Sequence, residues 1–403
     1  MDSPPLLEKK KSNNGDWEEE LMTRNGKWGR VMTELEKDFK LAGPMIFSLL
    51  ANIAMSSSNQ MFAGHLSSLE LSAVALSSVV GNLASGTLNG LVSAQETLCG
   101  QAFGAGQTRL LSIYLQRSWV ILIVAAFVIS PLYIFCAPIL KLLGQNEQIA
   151  DLAGKFSVRI IPHLFGLALS APTQRFLQTQ RKITVLAWIG LLALVVHVGL
   201  LGLFVSVFGW GFDGLALAYN ISAWVIPLAH ITYIVCWCKD TWFGLSSSAF
   251  GEIWSYLRLS IASAMQIFVG ALFSIVLMLV LGHLKGAVLA VGAFSICMNV
   301  TEWLIMVIGG LKVAASVRVS NEIGSGRVGR AKYAILVISF TSLAIGSLCA
   351  AAVLAFRNQL GALFTNDKEI QKTVADNAYL LATLLIGTAL LTPLGGAAVG
   401  AGL

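Results

Sequence analysis

The stretch from residue 183 to residue 209, ITVLAWIGLLALVVHVGLLGLFVSVFG, contains no Asp, Glu, Lys or Arg, and its one ionisable side chain is His197. A helix that crosses the hydrocarbon core of a bilayer needs about 20 mostly apolar residues. The apolar residues of this stretch do not alternate with polar ones, as they would in a strand of a membrane barrel. The stretch therefore predicts a transmembrane helix.

The rest of the chain follows the same pattern. Together with 183–209 we expect about ten transmembrane helices, at residues 41–65, 71–95, 118–140, 156–174, 183–209, 214–238, 259–282, 287–311, 333–356 and 377–401. The fourth of them is interrupted by Arg159, Pro162 and His163. The predicted fold class is an all-α polytopic membrane protein.

The composition of the whole chain supports this class. Of 403 residues, 56% are hydrophobic and 12% are charged, and the mean hydropathy is +0.74. Soluble domains have about 45–50% apolar and about 25% charged residues, so an ordinary soluble enzyme is excluded. The net charge of +6 does not indicate a nucleic-acid partner, because the basic residues lie between apolar runs and report orientation in the membrane. The cysteines and histidines show no metal-ligand spacing, and we expect no metal and no cofactor.

The first 40 residues have a different composition. Runs of two or three identical residues begin at Pro4, Lys9 and Glu18, and such a segment cannot bury a core. We expect residues 1–40 to be a disordered cytoplasmic tail, with a short surface helix around residues 28–39. Lys and Arg are more numerous in the connections on the side of this tail than in those on the other side, and the positive-inside rule then places the N-terminus in the cytoplasm.

Three short matches recur along the chain at nearly one distance. The pairs are Gly64-His65-Leu66 with Gly282-His283-Leu284, Gly104-Ala105-Gly106 with Gly324-Ser325-Gly326, and the segment from Asn146 with that from Asp367, at shifts of 218, 220 and 221 residues. Glycine turns are common, but a shared offset and a shared place relative to the predicted helices indicate an internal repeat.

The repeat predicts the organisation of the chain. Its unit contains six helices, and an even number of spans gives both copies the same orientation, so the repeats are parallel. We expect an N-terminal six-helix lobe at 41–240, an inter-lobe loop at 241–258 and a partial C-terminal lobe at 259–403. Only four helices of the second repeat fit into the last segment, so we expect that repeat to be incomplete.

One carboxylate lies well inside a predicted helix. An ionisable group in the bilayer interior is unfavourable by about 2.5–3.5 kcal/mol, so Glu302 needs a partner or a function. Asn299 lies one turn before it on the same face, and Trp303 follows it. We interpret the three residues as a proton or cation site facing an internal cavity. The alternative is a carboxyl group that is neutral or paired for packing alone.

Other polar side chains inside the predicted helices are candidates for the same cavity. They include Asn82, Gln266 and His163. The alternative for the two amides is helix packing through hydrogen bonds. A histidine on an apolar helix can likewise be a hydrogen-bonded core residue rather than a proton carrier.

Two polar residues follow the second predicted helix. Glu96 and Gln101 are candidate residues of a gate at the cytoplasmic mouth of the cavity. The alternative for Glu96 is a helix-end carboxylate that pairs with Arg109 or Arg117. No nucleophile, catalytic dyad or metal set clusters inside the predicted helices, so the residues do not indicate an enzyme.

Four blocks, in this order, are similar to blocks of a known family. They are residues 95–107 (QETLCGQAFGAGQ), 172–182 (PTQRFLQTQRK), 209–222 (GWGFDGLALAYNIS) and 314–326 (AASVRVSNEIGSG). From about residue 38 to residue 403 the chain resembles the plant multidrug and toxic compound extrusion (MATE) transporters of the DETOXIFICATION type.

The resemblance implies a fold and a function. The fold is two six-helix lobes with alternating access to a central cavity. The function is export of organic solutes or xenobiotics, or their sequestration in the vacuole, by antiport driven by a proton gradient, with sodium as the other coupling ion of the family. The implied partners are the lipid bilayer and solutes such as flavonoids, alkaloids or organic cations. We expect no nucleic acid, a vacuolar or plasma membrane location, and a monomer able to associate with other transporters.

The chain departs from the family at positions that are usually acidic or polar. The acidic residue of the seventh helix aligns with Gly270, and the Asp or Asn of the tenth helix aligns with Thr388. The family's Glu in the eighth helix follows a Gly-Trp pair, whereas Glu302 precedes Trp303. The resemblance therefore does not by itself assign a coupling role to Glu302. The alternative function is an inactive truncated paralogue or a regulatory partner of a full-length transporter.

Overall fold

The computed structural model describes residues 27–254, 256–261, 264–265, 269, 280, 287–364 and 367–402. Within these residues the chain is almost entirely helical, and it contains no β-strand. In chain order the α-helices are α1 (Lys27–Leu66), α2 (Ser68–Gly104), α3 (Thr108–Ile134), α4 (Cys136–Leu142), α5 (Glu147–Arg159), α6 (Ile161–Thr179), α7 (Ile183–Leu201), α8 (Gly211–Trp237), α9 (Ala287–Gly324), α10 (Val328–Ala355), α11 (Arg357–Leu360), α12 (Lys368–Asp376) and α13 (Ala378–Ala401).

The long helices confirm the predicted class of polytopic membrane protein. Eight of them are long and apolar enough to cross a membrane: α1, α2, α3, α7, α8, α9, α10 and α13. The pair of α5 and α6 could form one more span, bent by 50° between the two helices. These elements correspond to nine of the ten predicted helices, and the remaining one, at 259–282, lies mostly outside the described residues.

The bend between α5 and α6 lies where the sequence shows its interruption. Pro162 occupies the first turn of α6, where a missing N–H is tolerated. Arg159 ends α5 and lies 2.6 Å from Asp213 at the start of α8. The Asn220 side chain accepts the backbone N–H of His163 at 2.9 Å and donates to the Arg159 carbonyl at 2.7 Å. These bonds satisfy backbone groups that a broken helix would leave open.

The start of α1 lies within the segment that composition assigns to a disordered tail. Residues 27–40 are helical and continue without a break into the first span, so residue 40 is not a structural boundary. The reason is a partner distant in sequence: Asp38 and Glu34 both pair with Arg318 of α9. Residues 1–26 lie outside the described residues.

The repeat is visible in the helix connections. Helix α2 ends at Gly104 and α9 ends at Gly324, 220 residues later. In the turns that follow, Gly106 and Gly326 have φ angles of +74° and +77°, a left-handed conformation that favours glycine. In both turns the next residue donates its N–H to the carbonyl five residues earlier, at 2.8 Å. The two turns thus have the same conformation.

The correspondence continues at the third helix after this turn in each repeat, α5 in the first and α12 in the second. Asn146 caps α5, and its side chain accepts the backbone N–H of Gln148 at 3.0 Å. Asp367 caps α12 and accepts the backbone N–H of Glu369 at 2.9 Å. An Asn or Asp at this position satisfies N–H groups that have no partner within the helix. The chain therefore contains two copies of one helical unit, as predicted.

Hydrophobic cores hold the helices together, and three of the five among the described residues define the two lobes and their junction. The first is built mainly from α2, α3, α6 and α8, and the second from α9, α10 and α13. The third contains Met45 of α1 together with Leu311 and Ala314 of α9, and so joins the first lobe (α1–α8) to the second lobe (α9–α13). The side of the membrane at which α1 begins, and α2 and α9 end, is called the tail side below, and the opposite side is the far side.

Candidate functional site: a cavity between the lobes

A cavity of about 1440 Å³ lies between the two lobes. Much of its lining on α1 and α2 consists of hydroxyl and amide side chains spaced three or four residues apart: Ser48, Asn52 and Ser56, and Ser78, Asn82, Ser85, Asn89 and Ser93. This spacing places each set on one face of its helix. The cavity can therefore hold a hydrated or hydrogen-bonding solute within a protein whose outer surface is apolar.

The tail side of the cavity is closed where the ends of α2 and α9 cross. A Cβ atom on Gly104 would lie 2.0 Å from the carbonyl oxygen of Asn321, and a Cβ atom on Gly324 would lie 2.1 Å from that of Gln101. The contact is reciprocal, because Gln101 and Asn321 each lie three residues before the glycine of their own helix. Only glycine allows this approach, so the two helices pack backbone against backbone.

The end of α13 completes this closure. The Thr97 hydroxyl donates to the carbonyl of Val399 at 2.5 Å, and the Gln101 amide donates to the carbonyl of Ala401 at 3.3 Å. The predicted gate residue Gln101 therefore lies at the closed end of the cavity, where its side chain joins α2 to α13. The cavity lining extends from this end to Gln60 near the far end of α1.

The other predicted gate residue, Glu96, lines the cavity beside the closure and is paired. Its Oε2 lies 3.1 Å from Nη1 of Arg175 on α6, and both side chains are largely buried. The adjacent Gln95 amide donates to the carbonyl of Pro172 at 2.9 Å. Two of the sequence blocks that carry the family resemblance thus contact each other here.

The partners that the sequence suggested for Glu96 are wrong. Arg109 lies over the ring of Phe243, with its guanidinium carbon 5.7 Å from the ring centroid. Arg117 lies 3.8 Å from Glu252. Helix α3 directs both side chains toward the segment after α8, whereas α6 brings Arg175 to the side of α2 that carries Glu96.

The three residues of the predicted proton or cation site all line the cavity. Glu302 is exposed there and makes no ion pair among the residues that the structure describes. The Asn299 amide donates to the carbonyl of Ser295 at 3.1 Å, within its own helix. Trp303 is 58% exposed, and its ring lies 6.0 Å from that of Phe364. A carboxylate in this position is accessible from the cavity and can bind a proton or a cation.

The remaining predicted cavity residues are Asn82, His163 and Gln266, and the structure places two of them in the cavity lining. Asn82 and His163 line the cavity, and Gln266 lies outside the described residues. The His163 ring stacks on Tyr219, with centroids 4.3 Å apart, and its Nδ1 is buried without a hydrogen-bond partner in the described part of the chain. Across those same residues no group of three His, Cys, Asp or Glu side chains is arranged to hold a metal ion.

Two cations that line the cavity were not among the predicted site residues. Arg175 and Lys312 each lie one residue beyond a predicted helix, 156–174 or 287–311, and so at the start of a predicted connection, but α6 continues to Thr179 and α9 to Gly324. A span predicted from hydropathy ends at the first charged residue. The predicted helix is therefore too short where the charged residues of the real helix face an internal cavity. The periodic polar face of α2 is the sequence signal that could have identified the cavity lining.

Comparisons with known proteins give the family of the chain. A family model described as MatE matches residues 44–202 and 261–403, which correspond to the two lobes. Protein DETOXIFICATION 34 of Arabidopsis thaliana is 46% identical over 372 residues, covering 92% of this chain and 69% of that protein. Protein DETOXIFICATION 35 of the same plant is 45% identical over 373 residues, covering 92% and 76%.

Solved structures agree with this relationship. The crystal structure of the eukaryotic MATE transporter AtDTX14 is similar with a TM-score of 0.85 and 31% identity, covering 92% of this chain and 84% of that one. The Vibrio cholerae MATE transporter VcmN in its bent form has a TM-score of 0.83 at 17% identity, over 92% and 85% of the chains, and shows the shared fold alone. With both lobes matched and a polar cavity between them, this chain belongs to the MATE family of integral membrane transporters.

Proposed function

We propose that this protein exports organic solutes, or sequesters them in the vacuole, by proton-coupled antiport. The observation that carries the proposal is the Glu302 carboxylate, which faces the cavity between the lobes and has no ion-pair partner among the described residues. An ionisable residue within a membrane span supports a functional hypothesis, because such residues are unfavourable in lipid and usually face a protein interior or a water-filled cavity. Family membership supports transport as the activity.

The proposed cycle starts from the state described above, closed at the tail side. A proton from the far side binds Glu302 and removes its negative charge, which weakens the hydrogen bonds that a solute hydroxyl or ammonium group donates to the carboxylate. The neutral carboxyl group is also easier to enclose in apolar surroundings, so protonation favours reorientation of the lobes. At the tail side the proton leaves and a new solute binds. The exchange of solute for proton stays coupled if the transporter does not reorient while it holds neither a solute nor a proton.

We propose that the tail side is the cytoplasmic side. Several Lys and Arg residues of the predicted connections lie within helices, among them Arg175, Lys312 and Arg318. The basic residues that remain between helices on the tail side favour this orientation, and they are Arg181, Lys182, Lys239 and Arg327. The far side would then be the vacuolar lumen or the cell exterior, and the protein would lie in the vacuolar or plasma membrane. Both lobes around the cavity belong to one chain, which supports a monomer as the transport unit.

The cavity lining supports aromatic solutes. Trp303 and Tyr219 present rings to the cavity, and the amides and hydroxyls of α1 and α2 provide hydrogen-bond donors and acceptors. Apolar walls with a few polar groups are typical of sites for small organic molecules. Flavonoids fit this lining through stacking and hydroxyl contacts, and alkaloids or other organic cations fit it through attraction to Glu302 and the ring faces.

The first prediction is that Glu302→Gln abolishes proton-driven accumulation. Glutamine has the size and polarity of the neutral carboxyl group but cannot release a proton, so the site stays in its solute-releasing form and exchange of solute for proton cannot be coupled. The full chain is reconstituted in proteoliposomes, a pH gradient is imposed, and accumulation of the fluorescent cation ethidium is followed. We expect a reduction of about tenfold or more, the range in which loss of a proton-transfer group usually falls.

The matched control is Glu147→Gln, which removes an exposed carboxylate from the first turn of α5 outside the cavity. This variant should accumulate ethidium as the unchanged chain does. Accumulation that follows a sodium gradient and ignores the pH gradient would contradict proton coupling. Normal proton-driven accumulation by Glu302→Gln would remove Glu302 from the mechanism.

A further inference from the structure

The closed end of the cavity contains a cation that the proposed cycle does not use. Lys312 of α9 lines the cavity, is exposed there, and makes no ion pair among the residues that the structure describes. It lies twelve residues before the end of α9, which is about 18 Å along the helix axis, so it belongs to the helix and not to a connection. An ammonium group on the cavity wall without a carboxylate partner among the described residues is available to a negatively charged ligand.

The surroundings of Lys312 keep its side chain in the cavity. A Cβ atom on Gly396 of α13 would lie 2.3 Å from the Lys312 carbonyl oxygen and 2.9 Å from its Cγ. The glycine at this position therefore makes room for the stem of the lysine. Gly395 and Gly396 both line the cavity, so the space along the stem is open to it.

A chain of contacts places Lys312 at the same end of the cavity as Arg175. Gly396 lies one helical turn before Val399, whose carbonyl accepts the Thr97 hydroxyl at 2.5 Å. Thr97 follows Glu96, which pairs with Arg175 at 3.1 Å. All of these residues line the cavity. Two cations and one carboxylate therefore occupy the closed end.

The charges at this end do not cancel. Glu96 offsets Arg175, and Lys312 has no corresponding carboxylate in the described part of the structure. Glu302 lies ten residues earlier on α9, which corresponds to about 15 Å along the helix axis. The cavity is thus polarised, with a free carboxylate toward its middle and a free ammonium at its closed end. A negatively charged group is the ligand that this end would stabilise.

We propose that Lys312 is an anion-binding subsite of the cavity, which takes the carboxylate or sulfate of a conjugated aromatic solute. The aromatic body would extend from Lys312 into the cavity, toward the hydroxyl and amide side chains that line it. Glu96 holds Arg175 through Nη1 alone, which leaves the rest of the guanidinium to contribute to the same anionic group. The subsite deepens the proposed transport function by naming a solute class.

The test compares two probes that differ in one group. They are 4-methylumbelliferyl glucuronide and 4-methylumbelliferyl glucoside, in which a carboxylate replaces a hydroxymethyl group on the same ring. Their dissociation constants are measured by equilibrium dialysis against the detergent-solubilised full chain. We expect the glucuronide to bind about tenfold more tightly, a typical gain for a charge-assisted hydrogen bond. Added salt should weaken this preference, because the cavity is open to solvent.

Two substitutions assign the preference to the lysine. Lys312→Gln should bring the glucuronide to the affinity of the glucoside, whereas Lys312→Arg should retain most of the preference. Glucoside binding should be the same in both variants, and it shows that each is folded. Equal affinity of the two probes for the unchanged chain would overturn the proposal, and so would an unchanged preference in Lys312→Gln. Competition by inorganic sulfate as strong as that by the glucuronide would overturn the organic solute class.

The experiment separates this inference from the proposed function. Binding in detergent requires no gradient, so the glucuronide preference should persist in Glu302→Gln even though coupled accumulation is lost. A preference that depends on Lys312 in a protein without proton-driven transport would support the subsite and contradict antiport. Proton-driven transport by a protein that shows no glucuronide preference would support antiport and contradict the subsite.

Discussion

Arg318→Ala is expected to lower the free energy of unfolding by about 3–5 kcal/mol, since it leaves the buried Asp38 carboxylate without its cation, whereas Glu34 keeps its pair with Lys37. The Arg318 side chain is 7% exposed and the Asp38 side chain is 1% exposed. Glu34 binds the same guanidinium through its other terminal nitrogen. Removing one member of a buried ion pair exposes the other to the full penalty of desolvation, which is why the expected effect is large.

The position of this cluster gives it a role beyond stability. Glu34 and Asp38 belong to α1 of the first lobe, and Arg318 belongs to α9 of the second, on the tail side. The cluster therefore exists only while the lobes meet there. Its loss should destabilise the tail-closed state more than a state in which the lobes separate, and the remaining population should shift toward the latter.

The measurement is thermal unfolding of the purified chain, followed by tryptophan fluorescence. Arg327→Ala is the matched control, because Arg327 pairs at 2.7 Å with Glu322 within the second lobe and is 45% exposed. A partly exposed pair of this kind contributes about 0–1 kcal/mol, so the control should unfold near the unchanged chain. Similar losses in both variants would contradict a special role for Arg318.

A compensated variant distinguishes charge from packing. Arg318→Met combined with Glu34→Gln and Asp38→Asn removes all three charges while keeping side chains of similar length. If uncompensated charge causes the instability, this variant should regain most of what Arg318→Ala loses. If it remains as unstable as Arg318→Ala, the contribution of Arg318 is packing of its side chain between α1 and α9.

The sequence predicts the spans well because each is a local property. The run at 183–209 forms α7 and the turn that continues it to Val207, and Pro162 marks the bend between α5 and α6. The repeat is equally accessible, since Gly106 and Gly326 impose the same turn on two equivalent segments. In each case the physical cause, apolar length or a left-handed backbone, lies within a few residues.

The cavity is only partly predictable, because its charges are paired across the fold. Glu302 was identified since no other carboxylate lies so deep in a predicted helix. The Glu96 partner, Arg175, lies on a helix that packs against α2 only in the folded chain, and nothing near Glu96 in sequence selects it over Arg109. Lys312 was read as the start of a connection, because a charged residue ends a hydropathy window whether it faces a loop or a cavity.

The second large effect is expected at the crossing of α2 and α9. Gly104→Ala would place a methyl group 2.0 Å from the carbonyl oxygen of Asn321, and Gly324→Ala would place one 2.1 Å from that of Gln101. Ordinary carbon–oxygen contacts are about 3.3 Å or longer, so the helices must separate by about 1 Å. Overpacking of this kind is unfavourable by about 1–3 kcal/mol, which would reduce the population of the tail-closed state by about 5- to 150-fold.

The shift is measurable as a distance between the lobes on the tail side. Spin labels are attached at Gln107 and Val328, which are exposed at the starts of α3 and α10, in a chain whose native cysteines have been replaced. Double electron–electron resonance should report a longer distance between the two spin labels in Gly104→Ala than in the parent chain. The control Gly387→Ala adds the same methyl group to α13 at a position with no neighbouring atom within 4 Å, so its distance distribution should match the parent.

The double variant gives the decisive outcome for this closure. Because Gly104 and Gly324 occupy equivalent positions of one crossing, the first methyl group already forces the helices apart and makes room for the second. The effects of the two substitutions should therefore be less than additive, as for residues that share a contact. Proton-driven accumulation should fall in both single variants and little further in the double variant. Strictly additive losses would show that the two glycines act at separate places, and that the reciprocal contact does not close the tail side.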